Sequence, residues 1–418
     1  MLPEQMLAWG YTRNCIREVM EYGTIRKQEI GAENVYDYSI GNPSIPAPDC
    51  VNEAIAELIK GDSVALHGYT TAAGLPSVRD AIAKNLNDTY DLGLTGDLFY
   101  ITCGCASSIA IALRAVLFPE DEVIVNAPFF PEYRVFTEAS RGIVRVVPPR
   151  ADFQIDFDAL KAALTPKTKA VIINSPNNPS GMVYSEETLK ELAAILKAHE
   201  ETIGETVYLL TDEPYRELVY DMDKTPNAMC YYDDTFICYS FSKCMSIPGE
   251  RIGYLAVSPR MHEKTAVYAA VLGAGRALGY INPPSLFQRV IERTVGAHSD
   301  FSQYKINRDL LTAGLREIGY ECVDPKGAFY LFAKALEPDA KAFCEHAKKY
   351  ELLLVPSNDF GMTGYFRMAY CVNRDMIAKS MPAFRALWDD YHKQPSQEGK
   401  QGARSLIAPP ASVLRSGF

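Results

Sequence analysis

Between Val51 and Ile281, short apolar runs alternate with stretches in which apolar residues recur every three or four positions. The runs read as strands buried on both faces, the periodic stretches as amphipathic helices. Strands are predicted at Glu122–Asn126, Ile143–Val147, Lys169–Asn174, Thr206–Thr211, Thr235–Tyr239 and Arg251–Val257. Helices are predicted at Pro76–Leu86, Ala106–Phe118, Ser185–His199 and Met261–Leu272. Such alternation predicts an α/β fold with a mostly parallel central sheet covered by helices. Asn282-Pro283-Pro284 interrupts it. Beyond lie a long helix from Ser285 and elements at Ala328–Phe332, Lys341–Tyr350, Tyr365–Tyr370 and Asp375–Tyr391, which read as a smaller α+β domain. The expected division is an N-terminal segment at 1–45 packing on that small domain, a large domain at 46–284, the small domain at 285–392 and a tail at 393–418. The tail turns to Gln, Gly, Ser, Pro and basic residues and reads as disordered.

Composition narrows the partners. At 418 residues the chain is long for one core and suits two. A net charge of -10 argues against nucleic acid or an anionic membrane as partner, so any anion site must be local. There is no basic-then-apolar leader, and no apolar run nears the ~20 residues that span a bilayer, so a cytoplasmic location is expected. Ten cysteines are scattered, and the close pair Cys103 and Cys105 lacks a second pair or histidines at zinc-ligand spacing. Reduced thiols and no metal are expected.

The chemistry is carried by polar clusters at predicted strand ends, where open α/β sheets bind ligands. Ser175-Pro-Asn-Asn178-Pro-Ser-Gly181 follows one strand, Asp212-Glu-Pro-Tyr215 the next, and Ser240-Phe-Ser-Lys243 a third; Thr102-Cys-Gly104-Cys-Ala-Ser107 opens a helix. Singly each is ordinary: an Asp or Asn-Pro after a strand makes turns, and a glycine before a helix is a cap. Together on one edge they describe a ligand. Lys243 can form a Schiff base with a carbonyl cofactor, and Ser240, Ser242 and Arg251 suit a phosphate, so covalently held pyridoxal phosphate is indicated. Asp212 can pair with a protonated pyridine nitrogen, and Tyr215 and Asn178 can hydrogen-bond the ring oxygen. Gly104 presents the amides of a helix start to the phosphate. Gly273-Ala-Gly-Arg-Ala-Leu-Gly279 looks like a dinucleotide loop but follows a helical stretch and reads as a helix end.

The order Tyr69, Gly104, Asn178-Pro-Ser-Gly181, Asp212-x-x-Tyr215, Ser240-x-Ser-Lys243, Arg251-x-Gly253 and Arg367 resembles the class I/II, fold type I pyridoxal-phosphate-dependent aminotransferases, aspartate-aminotransferase-like, from about Tyr38 to Tyr391. The resemblance implies that Lys243 holds the internal aldimine and shuttles the proton, and that Asp212 pairs with the ring nitrogen. It implies that Arg251, Ser240, Ser242 and the amides of Cys105 and Ala106 hold the phosphate, and that Phe130 stacks on the ring. Arg367 and the amide of Gly41 would grip the substrate α-carboxylate, with Asn178 beside them. Tyr69 would reach the phosphate of a neighbouring subunit, making a homodimer with shared active sites. The implied reaction moves the amino group of an L-amino acid to a 2-oxo acid through pyridoxamine phosphate; a β-eliminating or cyclising lyase on the same scaffold is the alternative. The chain departs from the family pattern at Ser175-Pro176, at Ser357 after Pro356, at Phe130 in place of tryptophan, and at Ala106, where one aspartate-using branch has lysine. Arg276 lies near, though one residue off, the place where another branch uses an arginine of the partner subunit for a side-chain carboxylate.

Overall fold

The computed structural model describes residues 2–11 and 14–393; the rest of the expected tail lies outside the described residues. The strands are β1 (Tyr36–Asp37), β2 (Phe99–Thr102), β3 (Glu122–Asn126), β4 (Ile143–Val147), β5 (Thr168–Asn174), β6 (Tyr208–Asp212), β7 (Thr235–Ser240), β8 (Gly253–Val257), β9 (Tyr330–Lys334), β10 (Leu352–Leu353), β11 (Val355–Pro356) and β12 (Tyr365–Ala369). Seven form one sheet in the order β2-β8-β7-β6-β5-β3-β4. Strand β8 is antiparallel to both its neighbours, while β7, β6, β5, β3 and β4 pair in parallel. The mostly parallel sheet expected from the alternation is present. A second, antiparallel sheet has the order β11-β12-β9, and β1 pairs in parallel with β10, tying the N-terminal segment to the C-terminal third.

Local sequence explains these elements. In β5 six of the seven residues are buried, because a central parallel strand is covered on both faces and its sequence becomes a continuous apolar run. The helix Glu186–Ile203 begins where the Ser185 hydroxyl accepts from the Thr188 amide and ends at Gly204 in the left-handed conformation. Its buried residues Leu189, Leu192, Ala193 and Leu196 follow the helical period and face the sheet.

Several expectations are corrected. The long helix from Ser285 is two helices, Ser285–Thr294 and Ser302–Ile318, because the chain turns at Gly296 (φ 89°). The strand expected from Arg251 starts at Gly253, since Arg251 itself is left-handed. The element expected at Ala328–Phe332 begins two residues later, past a left-handed Ala328. Strand β2 had been hidden by its brevity. The Gly273–Gly279 stretch closes the helix Lys264–Ala277, as expected.

Beyond the carboxyl end of β6, Glu213 and Arg216 form a buried ion pair at 2.6 Å. The second Glu213 oxygen accepts from the Thr211 hydroxyl at 2.6 Å, and Arg216 donates to the Tyr254 hydroxyl at 2.9 Å while lying 4.3 Å from the Tyr239 ring centroid. The pair therefore ties the ends of β6, β7 and β8 together. Removing one partner strands a buried charge, at a cost of about 3–5 kcal/mol. Glu213→Ala is expected to lower the thermal unfolding midpoint by several degrees; an unchanged midpoint would show that the pair does not brace the sheet edge.

Candidate active site

The carboxyl ends of β5, β6 and β7 and the start of the helix Cys105–Val116 surround one cavity of about 290 Å³. Of the residues singled out in the sequence, Gly41, Cys105, Ala106, Phe130, Asn178, Asp212, Tyr215, Ser240, Ser242, Lys243, Arg251 and Arg367 line it. Gly104 lies just behind, as the N-cap of the helix.

One corner is built for an anion. The Ser240 hydroxyl accepts from the Ser242 amide at 3.2 Å and lies 2.7 Å from the Ser242 hydroxyl. Arg251 donates to the Ser242 hydroxyl at 3.3 Å and to the Pro248 carbonyl at 2.9 Å. Gly104 has φ 94°, and a Cβ there would come within 2.6 Å of Arg251 Nη2. Only glycine lets the guanidinium approach the open amides of the helix start.

Lys243 extends across the cavity floor. Its Nζ donates to the Gly41 carbonyl at 2.6 Å and lies 5.4 Å from the Phe329 ring centroid. Burial lowers its pKa from 10.5 to about 8, with Arg251 and Arg367 acting the same way and Cys371 opposing. A buried lysine shifted this way gives up its proton near neutral pH far more readily than an exposed one.

Asp212, at the end of β6, is buried and accepts on both oxygens: from the Cys105 thiol at 2.7 Å on Oδ1 and from the Tyr133 hydroxyl on Oδ2. Burial raises its pKa to about 6, the two donors pull it back, and Glu213 adds to the rise. Tyr215 and Tyr330 hydroxyls meet at 2.9 Å, and burial holds Tyr215 well above the usual phenol range.

Arg367, in β12, is 1% exposed. Its Nη1 donates to Asn178 Oδ1 at 3.0 Å and its Nη2 to the Ser39 carbonyl at 2.5 Å, while the Tyr330 ring lies 4.6 Å away. Its Nε has no partner. A buried guanidinium with an open donor beside a cavity suits a carboxylate. Tyr69, by contrast, is 98% exposed and outside the cavity, and Arg276 is exposed on the helix Lys264–Ala277.

The pattern of aminotransferase class I and II matches residues 32–383. The chain belongs to that family. An amino transferase from Eubacterium rectale is 52% identical, with a TM-score of 0.92 over 94% of this chain and 100% of its own. The aspartate aminotransferase of Thermus thermophilus with maleate is 25% identical, with a TM-score of 0.81 over 93% of this chain and 99% of its own. The aspartate aminotransferase of Thermotoga maritima is 30% identical over 84% of this chain and 90% of its own. The aminotransferase family uses pyridoxal 5'-phosphate, and this is the cofactor of the chain. The residues present fit it: the corner at Gly104 that a Cβ would fill offers anion donors, Lys243 offers an amine, and Asp212 a buried carboxylate.

Sequence reasoning missed Ile16, Ile109, Asn174 and Tyr330 in the lining of this aminotransferase cavity, and Tyr133, which bonds Asp212 from outside the lining. Asn174 ends β5, donates to the Asp212 carbonyl at 2.8 Å and accepts from the Asn178 amide at 2.7 Å; a polar residue closing an apolar strand was its signal. Tyr133, Tyr330 and Ile16 arrive from distant segments and carry no motif. The Lys243 environment is testable on the cofactor-free protein. Reductive alkylation at pH 8 with peptide mapping is expected to label Lys243 ahead of the surface lysines; labelling no faster than theirs would contradict the lowered pKa.

Proposed function

We propose that this protein transfers the amino group of an L-amino acid to a 2-oxo acid. The observation that carries the reading is the meeting, around one cavity, of a lysine poised to lose its proton, a buried carboxylate and a buried arginine with an open donor. Bound pyridoxal phosphate supplies an aldehyde for the amino group and a protonated ring that draws electrons from the substrate α-carbon. Ser240, Ser242, Arg251 and the amides of Cys105 and Ala106 bind its phosphate. Asp212 would accept from the ring nitrogen, Tyr215 and Asn178 would serve the ring oxygen, and Phe130 would pack against the ring. Lys243 holds the cofactor and, once freed, takes the α-proton as a base and returns it as an acid. Arg367 and the Gly41 amide fix the α-carboxylate and so orient the α-proton toward Lys243. The eliminating or cyclising alternative draws no support from the relatives, whose names are those of aminotransferases.

The functional unit we propose is a homodimer. Val64 (83%), Tyr69 (98%), Leu278 (41%), Tyr280 (40%) and Ile281 (44%) are large apolar side chains left exposed. Asn282 donates to the Thr70 carbonyl, which places the two segments side by side. Such a patch suits a second copy, whose cavity Tyr69 would then complete. Two of the relatives are named for aspartate, and Arg276, on the helix leading into this patch, is the candidate for a second carboxylate.

Each part is open to measurement. Cofactor-loaded enzyme given one amino acid and no oxo acid should release one equivalent of 2-oxo acid per site without ammonia; ammonia release would favour elimination. Lys243→Ala should lower turnover by roughly 10²–10⁴-fold or more, the range of a positioned acid–base group, while cofactor still binds. Arg276→Ala is expected to raise the KM for aspartate and spare alanine, and equal effects on both would remove Arg276 from the substrate site.

A further inference from the structure

Asp212 is held by two side chains to which nothing above gives a task. Cys105 is the first residue of the helix Cys105–Val116, at the cavity edge and 8% exposed. Its thiol donates to Asp212 Oδ1 at 2.7 Å, while the Tyr133 hydroxyl donates to Oδ2. Both donors are themselves buried, and burial followed by the neighbouring Asp212 charge keeps each well above its usual pKa. Cys105 is therefore a protonated donor, not a nucleophile. The other titratable groups facing Asp212 are Glu213 and Tyr215 from its own segment and Cys238 from β7. Glu213 is paired with Arg216, and none of the three hydrogen-bonds the carboxylate oxygens.

Burial alone drives a carboxyl toward its neutral form, which would offer a proton to a ring nitrogen rather than accept one. Two donors on the two oxygens oppose that drift and fix the carboxylate plane. We propose that Cys105 is a positioning residue for Asp212: its thiol on Oδ1, together with the Tyr133 hydroxyl on Oδ2, keeps the carboxylate ionised and aimed at the cofactor ring nitrogen. This rests on the role given to Asp212 under Proposed function. It also gives the cysteine of the Thr102–Ser107 cluster side-chain work separate from the role proposed for its backbone amide.

The test compares cofactor-loaded wild-type enzyme with Cys105→Ala, Cys105→Ser and Asp212→Asn. Three quantities are read: the dissociation constant of pyridoxal phosphate, the visible absorbance of the bound cofactor as a function of pH, and kcat against KM. Loss of one hydrogen bond to a charged group predicts about tenfold weaker cofactor binding in Cys105→Ala. Its absorbance–pH curve should shift in the same direction as that of Asp212→Asn, by less, with kcat falling more than KM changes. Cys105→Ser keeps a donor and should restore both affinity and spectrum. The proposal is overturned if Cys105→Ala keeps the wild-type curve while Asp212→Asn loses it. It is equally overturned if Cys105→Ser behaves like Cys105→Ala, which would mean that the sulfur only fills space. If Asp212→Asn matches wild type in spectrum and affinity, the assignment of Asp212 itself falls.

Discussion

One line of hydrogen bonds runs through the cavity wall, and the positions of the functional groups depend on it. Arg367 donates to the Ser39 carbonyl at 2.5 Å and to Asn178 Oδ1 at 3.0 Å. The Asn178 amide donates to Asn174 Oδ1 at 2.7 Å, and Asn174 Nδ2 donates to the Asp212 carbonyl at 2.8 Å. Four segments far apart in sequence are thereby joined: the N-terminal segment, β12, the end of β5 with the loop that follows it, and the end of β6. Three of the four bonds have a backbone group at one end, so the line inherits the stiffness of the sheet. The separation between the Asp212 end and the Arg367 end is thus set before any ligand enters, which is what orientation of a substrate against a ring requires.

Burial then acts on the two titrating groups in opposite directions. It lowers Lys243 to about 8 and raises Asp212 to about 6, so each is moved toward the pH at which it can exchange a proton. The two are nonetheless treated differently. Lys243 has one neutral partner, the Gly41 carbonyl, and remains free to reach across the cavity. Asp212 has a donor on each oxygen and does not. A movable amine and a fixed carboxylate are the division of labour that the proposed proton transfer calls for. The buried Glu213–Arg216 pair, next to Asp212 in the chain, stays out of the cavity lining.

The part of this site legible in the sequence is the part written in contiguous residues. Asn178, Asp212, Tyr215, Ser240, Ser242 and Lys243 each follow a strand whose apolar run announces it, so the sheet delivers them to one edge. What escaped depends on register between distant segments. Tyr330 meets the site because β9 and β12 pair with Ala369 opposite Tyr330 and Arg367 opposite Phe332, a fact no single strand contains. Tyr133 reaches Asp212 from a helix 79 positions away. The break at Gly296 and the shift of β9 past Ala328 were missed for another reason: a single left-handed residue overrode an apolar period that continued through it.

The departure at Ser357 shows how the remaining wall is made. With Ser in place of the family glycine, the Ser357 hydroxyl is buried and accepts from the Tyr365 amide at 3.1 Å. The turn Ser357–Phe360 that follows ends at Gly361, and it holds Asp359 where its carboxylate accepts from the Cys15 amide at 2.7 Å. Asp359 thus caps the helix Cys15–Ile30 from outside, while Asn14 donates to Glu132 at 2.8 Å on the other side. Pinned at both points, the first turn places Ile16 in the cavity lining with Phe130. The end of the cavity bearing Arg367 is polar, whereas the wall made by Ile16 is apolar and positioned by the contacts of the Cys15–Ile30 helix start with Asp359 and Glu132. A motif around Lys243 can encode the first but carries no information about the second, because a packing surface between two remote segments fixes it.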